Sequence, residues 1–208
     1  MYGSSVAGRL PRNAHVVVVL CHPNPDGFAA ASARAATGAL TASGHRVTLL
    51  DLYAGGFDPV MSRDDLFRYQ SRTPDVPGDL EGHVDAVTSA DALVFVYPTW
   101  WSGLPAVLKG WLERVMVPGV AFVFDAEQRV RPALTNIKRI VIISTYGSPR
   151  RYIAVVNDNG RRVLARALRM TCGWRTRTTS IRLFAMDTRD DADRQRHLRH
   201  IERKMRSL

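Results

Sequence analysis

Cysteine is nearly absent: Cys21 and Cys172 are the only two in 208 residues, which excludes a disulfide framework. No apolar run approaches the ~20 residues of a membrane helix, so no membrane role is expected. The glycine signatures of nucleotide binding are missing too. No G-x-G-x-x-G follows a strand-like run, and there is no Walker phosphate loop. Zinc-type Cys/His spacing, a helix-turn-helix pattern and an aromatic RNA-binding signature are likewise not found. Residues 1–13 contain Gly and Pro and lack the apolar centre of a signal peptide, so they read as a flexible tail before one domain over 14–208. With neither export signal nor disulfides, a cytoplasmic location is expected.

What is present is an ordinary globular composition, 46% hydrophobic and 23% charged. A chain of this length buries roughly 70% of its unfolded surface, enough for one self-sufficient core. The net charge is +10, carried unevenly: residues 1–128 hold −4 and residues 129–208 hold +14. Such asymmetry suits any anionic ligand, nucleic acid included. However, 26 of the 29 basic residues are Arg, and no nucleic-acid motif accompanies them. A solvated basic face that accommodates a phosphorylated dinucleotide is therefore favoured over nucleic-acid binding.

Periodicity alternates between strand and helix. HVVVVL at residues 15–20 is a β-branched run of the kind buried on both faces. Residues 29–43 form an Ala-rich helix that stops at Gly44, and 46–52 a second strand. Residues 53–78 read as a long loop, followed by a helix at 79–89, a strand at 92–97 and a helix at 105–115. A strand at 139–145, a helix at 161–171, a strand at 175–184 and a charged helix at 190–207 complete the chain. Five strands alternating with helices predict a doubly wound parallel α/β sheet covered on both faces. Ligands of such sheets lie beyond the carboxyl ends of the strands, which directs attention to residues 21–28, 98–104 and 146–152.

The first of these loops, C-H-P-N-P-D-G-F, offers Gly27, free backbone N–H groups and a helix start, the ingredients of an anion site, with His22 able to hydrogen-bond a phosphate. The second, Y-P-T-W-W-S-G-L-P-A-V-L-K-G-W-L-E-R-V (97–115) followed by M-V-P-G-V-A-F, is far more specific. Pro98 and Thr99 present polar backbone, and Trp100 and Trp101 supply flat apolar walls; two adjacent Trp cannot both face inward from a strand, so a loop lining a planar ligand is the better reading. Lys109 and Trp111 fall inside the helix, in packing or in a subunit interface. The third loop is S-T-Y-G-S-P-R-R-Y (144–152), which alone would be only a turn.

On these motifs the chain resembles the NAD(P)H:quinone oxidoreductase family of flavodoxin-like proteins, over about residues 15–205. The D-L-Y…F-D-P of residues 51–59 and the Cys172-Gly173 pair agree with it. The resemblance implies a five-stranded sheet of order 2-1-3-4-5. It implies a flavin held by His22, Asp26, Gly27, Phe28, Ala29, Pro98, Thr99, Trp100, Trp101, Ser144, Thr145, Tyr146, Gly147 and Tyr152. It also implies two-electron, ping-pong hydride transfer from NAD(P)H through flavin N5 to a quinone-like acceptor, with Tyr152 catalytic. NADPH is the favoured donor because Arg150 and Arg151 flank Tyr152. FAD is the expected flavin, with Arg194 at its adenine end, and FMN the alternative. A homodimer is implied, for which residues 53–78 and the helix of Trp111 are the candidate surface.

Three positions depart from the family pattern. Relatives usually carry serine at position 27 and asparagine at 29, where this chain has Gly27 and Ala29. Some have a His shortly after the Tyr, where this chain has Asn157-Asp158-Asn159. The competing readings are a non-catalytic flavin- or nucleotide-binding regulatory subunit, and a reductase of azo, nitro or dedicated biosynthetic substrates.

Overall fold

Strand β1 (His15–Leu20) is buried along its whole length. In the computed structural model, which describes residues 9–71 and 76–208, its side chains alternate between two apolar layers. Val17 and Val19 enter one layer, Val16 and Val18 the other. Helix α1 (Phe28–Ala42) buries a row of alanines from Ala29 to Ala39, small enough to lie close to the sheet. It ends at Gly44, whose φ of 83° lets Gly44 N–H reach Thr41 O and His45 N–H reach Leu40 O. Strand β2 (Arg46–Asp51) then pairs parallel with β1.

Two helices, α2 (Arg63–Ser71) and α3 (Gly78–Thr88), lead to β3 (Ala92–Pro98) on the other side of β1. Helix α4 (Ala106–Val115) is followed by a small antiparallel hairpin, β4 (Phe122–Phe124) and β5 (Val130–Pro132). Next come β6 (Arg139–Thr145), α5 (Arg150–Val155) and α6 (Asn159–Arg162), the last continuing through a π-helical stretch, Val163–Leu168, into α7 (Arg169–Cys172). Strand β7 (Arg177–Leu183), a single 3₁₀ turn and helix α8 (Asp191–Arg206) complete the chain.

The sheet order is β2-β1-β3-β6-β7, all parallel, with β6 and β7 as the fourth and fifth strands of the expected 2-1-3-4-5 arrangement. Helices α3 and α4, the π-helical stretch and α7 cover one face through Leu80, Leu108, Trp111, Leu164, Leu168 and Cys172. Helices α1 and α8 cover the other through Ala33, Leu40, Ile201 and Met205. Among the described residues, no helix is long and apolar enough to cross a membrane.

Several local readings need correction. Residues 53–78 are not one loop, because α2 lies within them; residues 72–75 fall outside the described residues. What orders the segment is Arg114 of α4, which is buried. Its Nε donates to Asp65 Oδ2 at 3.1 Å, Nη1 to Asp58 O at 2.8 Å and Nη2 to Asp79 Oδ2 at 3.0 Å. Burial works against the Asp65 charge, but donation from Ser62 and Arg68 and the charge of Arg114 outweigh it and hold this carboxyl well below the usual range. Trp111 is fully buried within its own chain, donating Nε1–H to His83 Nδ1 at 3.2 Å, which removes it from any subunit surface. The tail reading of residues 1–13 falls mostly on 1–8, outside the described residues. Of the remainder, Leu10 is buried in the α1/α8 layer and its N–H donates to Leu208 O.

Candidate active site

The strand order reverses between β1 and β3, so the chain leaves their carboxyl ends in opposite directions and opens a crevice there. One wall comes from the loop between β1 and α1. His22 Nδ1 lies 3.1 Å from Asn24 N and 3.2 Å from Asn24 O, which pins the ring over the Asn24 backbone in either tautomer. The His22 ring lies against Gly27, where a Cβ would stand 3.3 Å from it, so the lack of a side chain at position 27 makes room for the imidazole. Helix α1 starts here with no side-chain cap, leaving its first N–H groups directed outward.

The loop after β3 supplies the aromatic wall. Trp101 and Ser102 both have left-handed backbone, at φ 49° and 56°, and Gly103 N–H closes the turn on Trp100 O at 2.9 Å. Two consecutive non-glycine residues in this region are strained, a cost of order 1–3 kcal/mol each. The strain holds Trp101 fully solvent-exposed and Trp100 about 40% exposed. Thr99 N–H donates to Thr145 O at 2.8 Å, tying this loop to the end of β6.

Between these walls lie two cavities. One, of about 370 Å³, is lined by His22, Phe28, Ala29, Pro98, Thr99, Trp100, Thr145, Gly147, Met186 and Asp187. The second, of about 250 Å³, is lined by Thr99, Trp101, Ser102, Tyr146, Gly147, Ser148, Tyr152 and Ile153. They share Thr99 and Gly147 and so form one cleft across the ends of β1, β3 and β6. The size suits a small organic ligand or cofactor.

A family model described as flavodoxin-like fold matches residues 14–207. The chain belongs to that family. NAD(P)H dehydrogenase [quinone] 1 of Cavia porcellus is 34% identical over 151 residues, covering 65% of this chain and 54% of that protein. The chain thus spans about half the length of the curated relatives it matches, 53–55% of most of them. Smu.1420 from Streptococcus mutans superposes with a TM-score of 0.82 at 29% identity, covering 93% of this chain and all of the other. An NAD(P)H:quinone oxidoreductase from Methanothermobacter marburgensis gives a TM-score of 0.78 at 27% identity, covering 93% and 96%.

The flavodoxin-like crevice gathers His22, Phe28, Ala29, Pro98, Thr99, Trp100, Trp101, Thr145, Tyr146, Gly147 and Tyr152. Other expected residues do not reach it. Asp26 is exposed and lines neither cavity, and Gly27 sits behind His22. Ser144 is buried, donating to the Tyr146 hydroxyl at 3.1 Å. Arg194 lies on α8, its Nε buried without a partner and its Nη1 3.5 Å from Asp191; on the same helix the His197 ring is 6.1 Å from that of Phe28.

Tyr146 contributes mainly from beneath the cleft. Its ring stacks on Phe184 at 4.8 Å and its hydroxyl donates to Asp158 Oδ1 at 2.9 Å. Burial pushes this phenol up to about 12, so it stays protonated. Asp158 is buried, and its other oxygen receives Arg161 Nε at 2.6 Å and Arg182 Nη1 at 3.5 Å. It supports the loop from below and lines neither cavity. Nor does backbone N–H donation extend along residues 144–147. Ser144 and Thr145 lie in the β6 ladder and Tyr146 N–H is bonded to Leu183 O at 2.9 Å, which leaves Gly147.

Tyr152 sits on α5, not in a loop, half-exposed at the edge of the second cavity. Met186 and Asp187 escaped the sequence reading, although the strand-end rule applies to β7 as it does to the other strands. Asp187 folds over Gly147, where a Cβ would meet its Oδ2 at 2.9 Å. Neither cysteine takes part in this site: burial pushes the thiols up to about 12 for Cys21 and about 11 for Cys172. Among the described residues no His/Cys/Asp/Glu group is arranged to hold a metal.

Proposed function

We propose that this chain is a flavin-dependent NAD(P)H oxidoreductase that delivers two electrons to a quinone-like acceptor. The observation that carries the proposal is the continuous cleft at the β1/β3 reversal, with an uncapped helix start and His22 at one end and Trp100 and Trp101 along its side. A flavin fits this donor set. The α1 N–H groups and the His22 imidazole would take its phosphate, the Trp rings its flat face, and Thr99, Thr145 and Gly147 its polar edge.

A bound flavin supplies reversible two-electron chemistry, accepting a hydride from the nicotinamide and passing it to the acceptor. The protein positions and encloses. Gly147 N–H provides a fixed donor toward the pyrimidine edge, and Tyr146 and Asp158 hold that loop rigid from below. Tyr152 donates its hydroxyl proton in a hydrogen bond to the acceptor carbonyl. Trp101 and Tyr152 border a single cavity, so donor and acceptor occupy it in turn. Steady-state rates with NADPH and a naphthoquinone should therefore give parallel double-reciprocal lines; intersecting lines would contradict alternate occupancy.

The flavin is proposed to be FAD, with Arg194 meeting its adenine end; acid extraction and chromatography of the released flavin separates FAD from FMN. A homodimer is proposed to form through the exposed apolar side chains Val60, Leu66 and Phe67, and a monomer in sedimentation would oppose it.

A further inference from the structure

Beside the Tyr152 cavity, and sharing Ile153 with it, lies another cavity of about 250 Å³. Arg150, Arg161, Arg162 and Arg182 line it, and Asp158 is the only carboxylate in its wall among the described residues. Asp158 is fully committed. Oδ1 accepts the Tyr146 hydroxyl, and Oδ2 takes both Arg161 and Arg182. No ion pair reaches Arg150 or Arg162 among the described residues, and Arg162 Nε is buried with no hydrogen-bond partner. Phe184 forms an apolar side, with the Arg182 guanidinium carbon 5.2 Å from its ring centroid.

A buried guanidinium donor without an acceptor is unfavourable, and four like charges lining one cavity against a single carboxylate add mutual repulsion. Both costs vanish when an oxyanion enters, because the planar donors match carboxylate, sulfonate and phosphate oxygens. We propose that this arginine cavity is an anion subsite, taking an acidic group of the molecule whose reacting end lies in the Tyr152 cavity. The assignment of that molecule rests on the reductase reading above; the binding of an anion does not. Two sources share the chemistry: the phosphate on the adenosine ribose of NADPH, and an acidic substituent on the acceptor.

Titration calorimetry of the purified holoprotein with inorganic pyrophosphate at low salt tests the subsite without turnover. Saturable binding is expected, weakened by about tenfold or more in Arg150→Gln/Arg162→Gln and largely restored by Arg162→Lys in the Arg150→Gln background. No binding, or equal affinity in wild type and double variant, overturns the proposal. Specificity ratios then identify the source. A collapse of the NADPH:NADH ratio of kcat/KM in the double variant assigns the donor phosphate. A collapse of the ratio for naphthoquinone sulfonate over unsubstituted naphthoquinone assigns the acceptor. If both ratios stand unchanged, the subsite is not used and the proposal fails. A wild-type protein that reduces neither quinone refutes the reductase reading, while the calorimetry still decides the subsite.

Discussion

Two arginine–aspartate clusters sit in this molecule, and they are built on opposite plans. Around α4, one buried guanidinium, Arg114, meets the Asp65 and Asp79 carboxylates and the Asp58 carbonyl, and each of its nitrogens has an acceptor. Around α5 and α6, four arginines line one cavity with a single carboxylate, Asp158, which pairs with Arg161 and Arg182 and leaves Arg150 and Arg162 without an ion pair among the described residues. The first cluster is closed and fastens the chain after β2 to the sheet. The second leaves cationic donors unmatched beside the cleft. Closed networks serve the fold, whereas open ones of a single sign are suited to a ligand.

The sharpest way to break this contrast is to remove one arginine from each cluster. Arg114→Ala leaves buried Asp65 with only Arg68 and Ser62 as donors, removes the donor from Asp79 and from the Asp58 carbonyl, and should cost about 2–3 kcal/mol in urea unfolding. Arg162→Gln should change stability by no more than about 0.5 kcal/mol, since no acceptor loses a partner. Equal losses would mean the two clusters are of one kind.

Gly110→Ala probes the same fastening from the packing side. A Cβ there would lie 2.2 Å from Pro59 O, a backbone atom that cannot swing away. We expect a loss of about 1–3 kcal/mol or more. Gly147→Ala meets only the Asp187 carboxylate, at 2.9 Å, so it should leave stability nearly intact and weaken flavin binding. Thermal melts with a flavin titration of each variant would distinguish the two.

Acid should loosen the closed cluster. Asp65 titrates lower in the folded protein than in the unfolded chain, so its contribution is fully present above its ordinary value of about 4 and fades as pH falls further. His197 adds an earlier decline. Burial and the neighbouring His200 lower it to about 4, so the unfolded chain takes up a proton first as pH drops below about 6.5. Urea midpoints should thus fall between pH 6.5 and 4 and again below 4, and Asp65→Asn should flatten the lower decline while leaving the upper one in place.

The smallest effect belongs to the cleft. Tyr152→Phe should lower turnover about tenfold, the worth of one hydrogen bond, with flavin still bound and stability unchanged. Unchanged turnover would remove Tyr152 from the mechanism.

These contrasts also mark how far the sequence was legible. The sheet was readable because HVVVVL, ALVFVYP and RIVIIST are continuous apolar runs whose burial on both faces leaves no other role. The aromatic wall was readable because Trp100 and Trp101 are neighbours that cannot share one face. Helix α2 was not, since RDDLFRYQS buries only Asp65, and that burial depends on Arg114, 49 residues away. Helix α5 was hidden behind Pro149, and its six residues span fewer than two turns, too short for a repeating apolar pattern. The open cluster was illegible for a related reason. Arg150, Arg161, Arg162 and Arg182 are scattered through an Arg-rich half of the chain, and only the parallel pairing of β6 with β7 brings Arg182 to the others.

The central claim is that the crevice at the β1/β3 reversal holds a redox-active flavin. The most direct test is the visible spectrum of the purified protein under anaerobic conditions, before and after NADPH and again after a quinone. The account predicts a yellow protein that NADPH bleaches and the quinone recolours. A protein that stays colourless after reconstitution with FMN or FAD, or whose flavin colour NADPH leaves untouched, would contradict it.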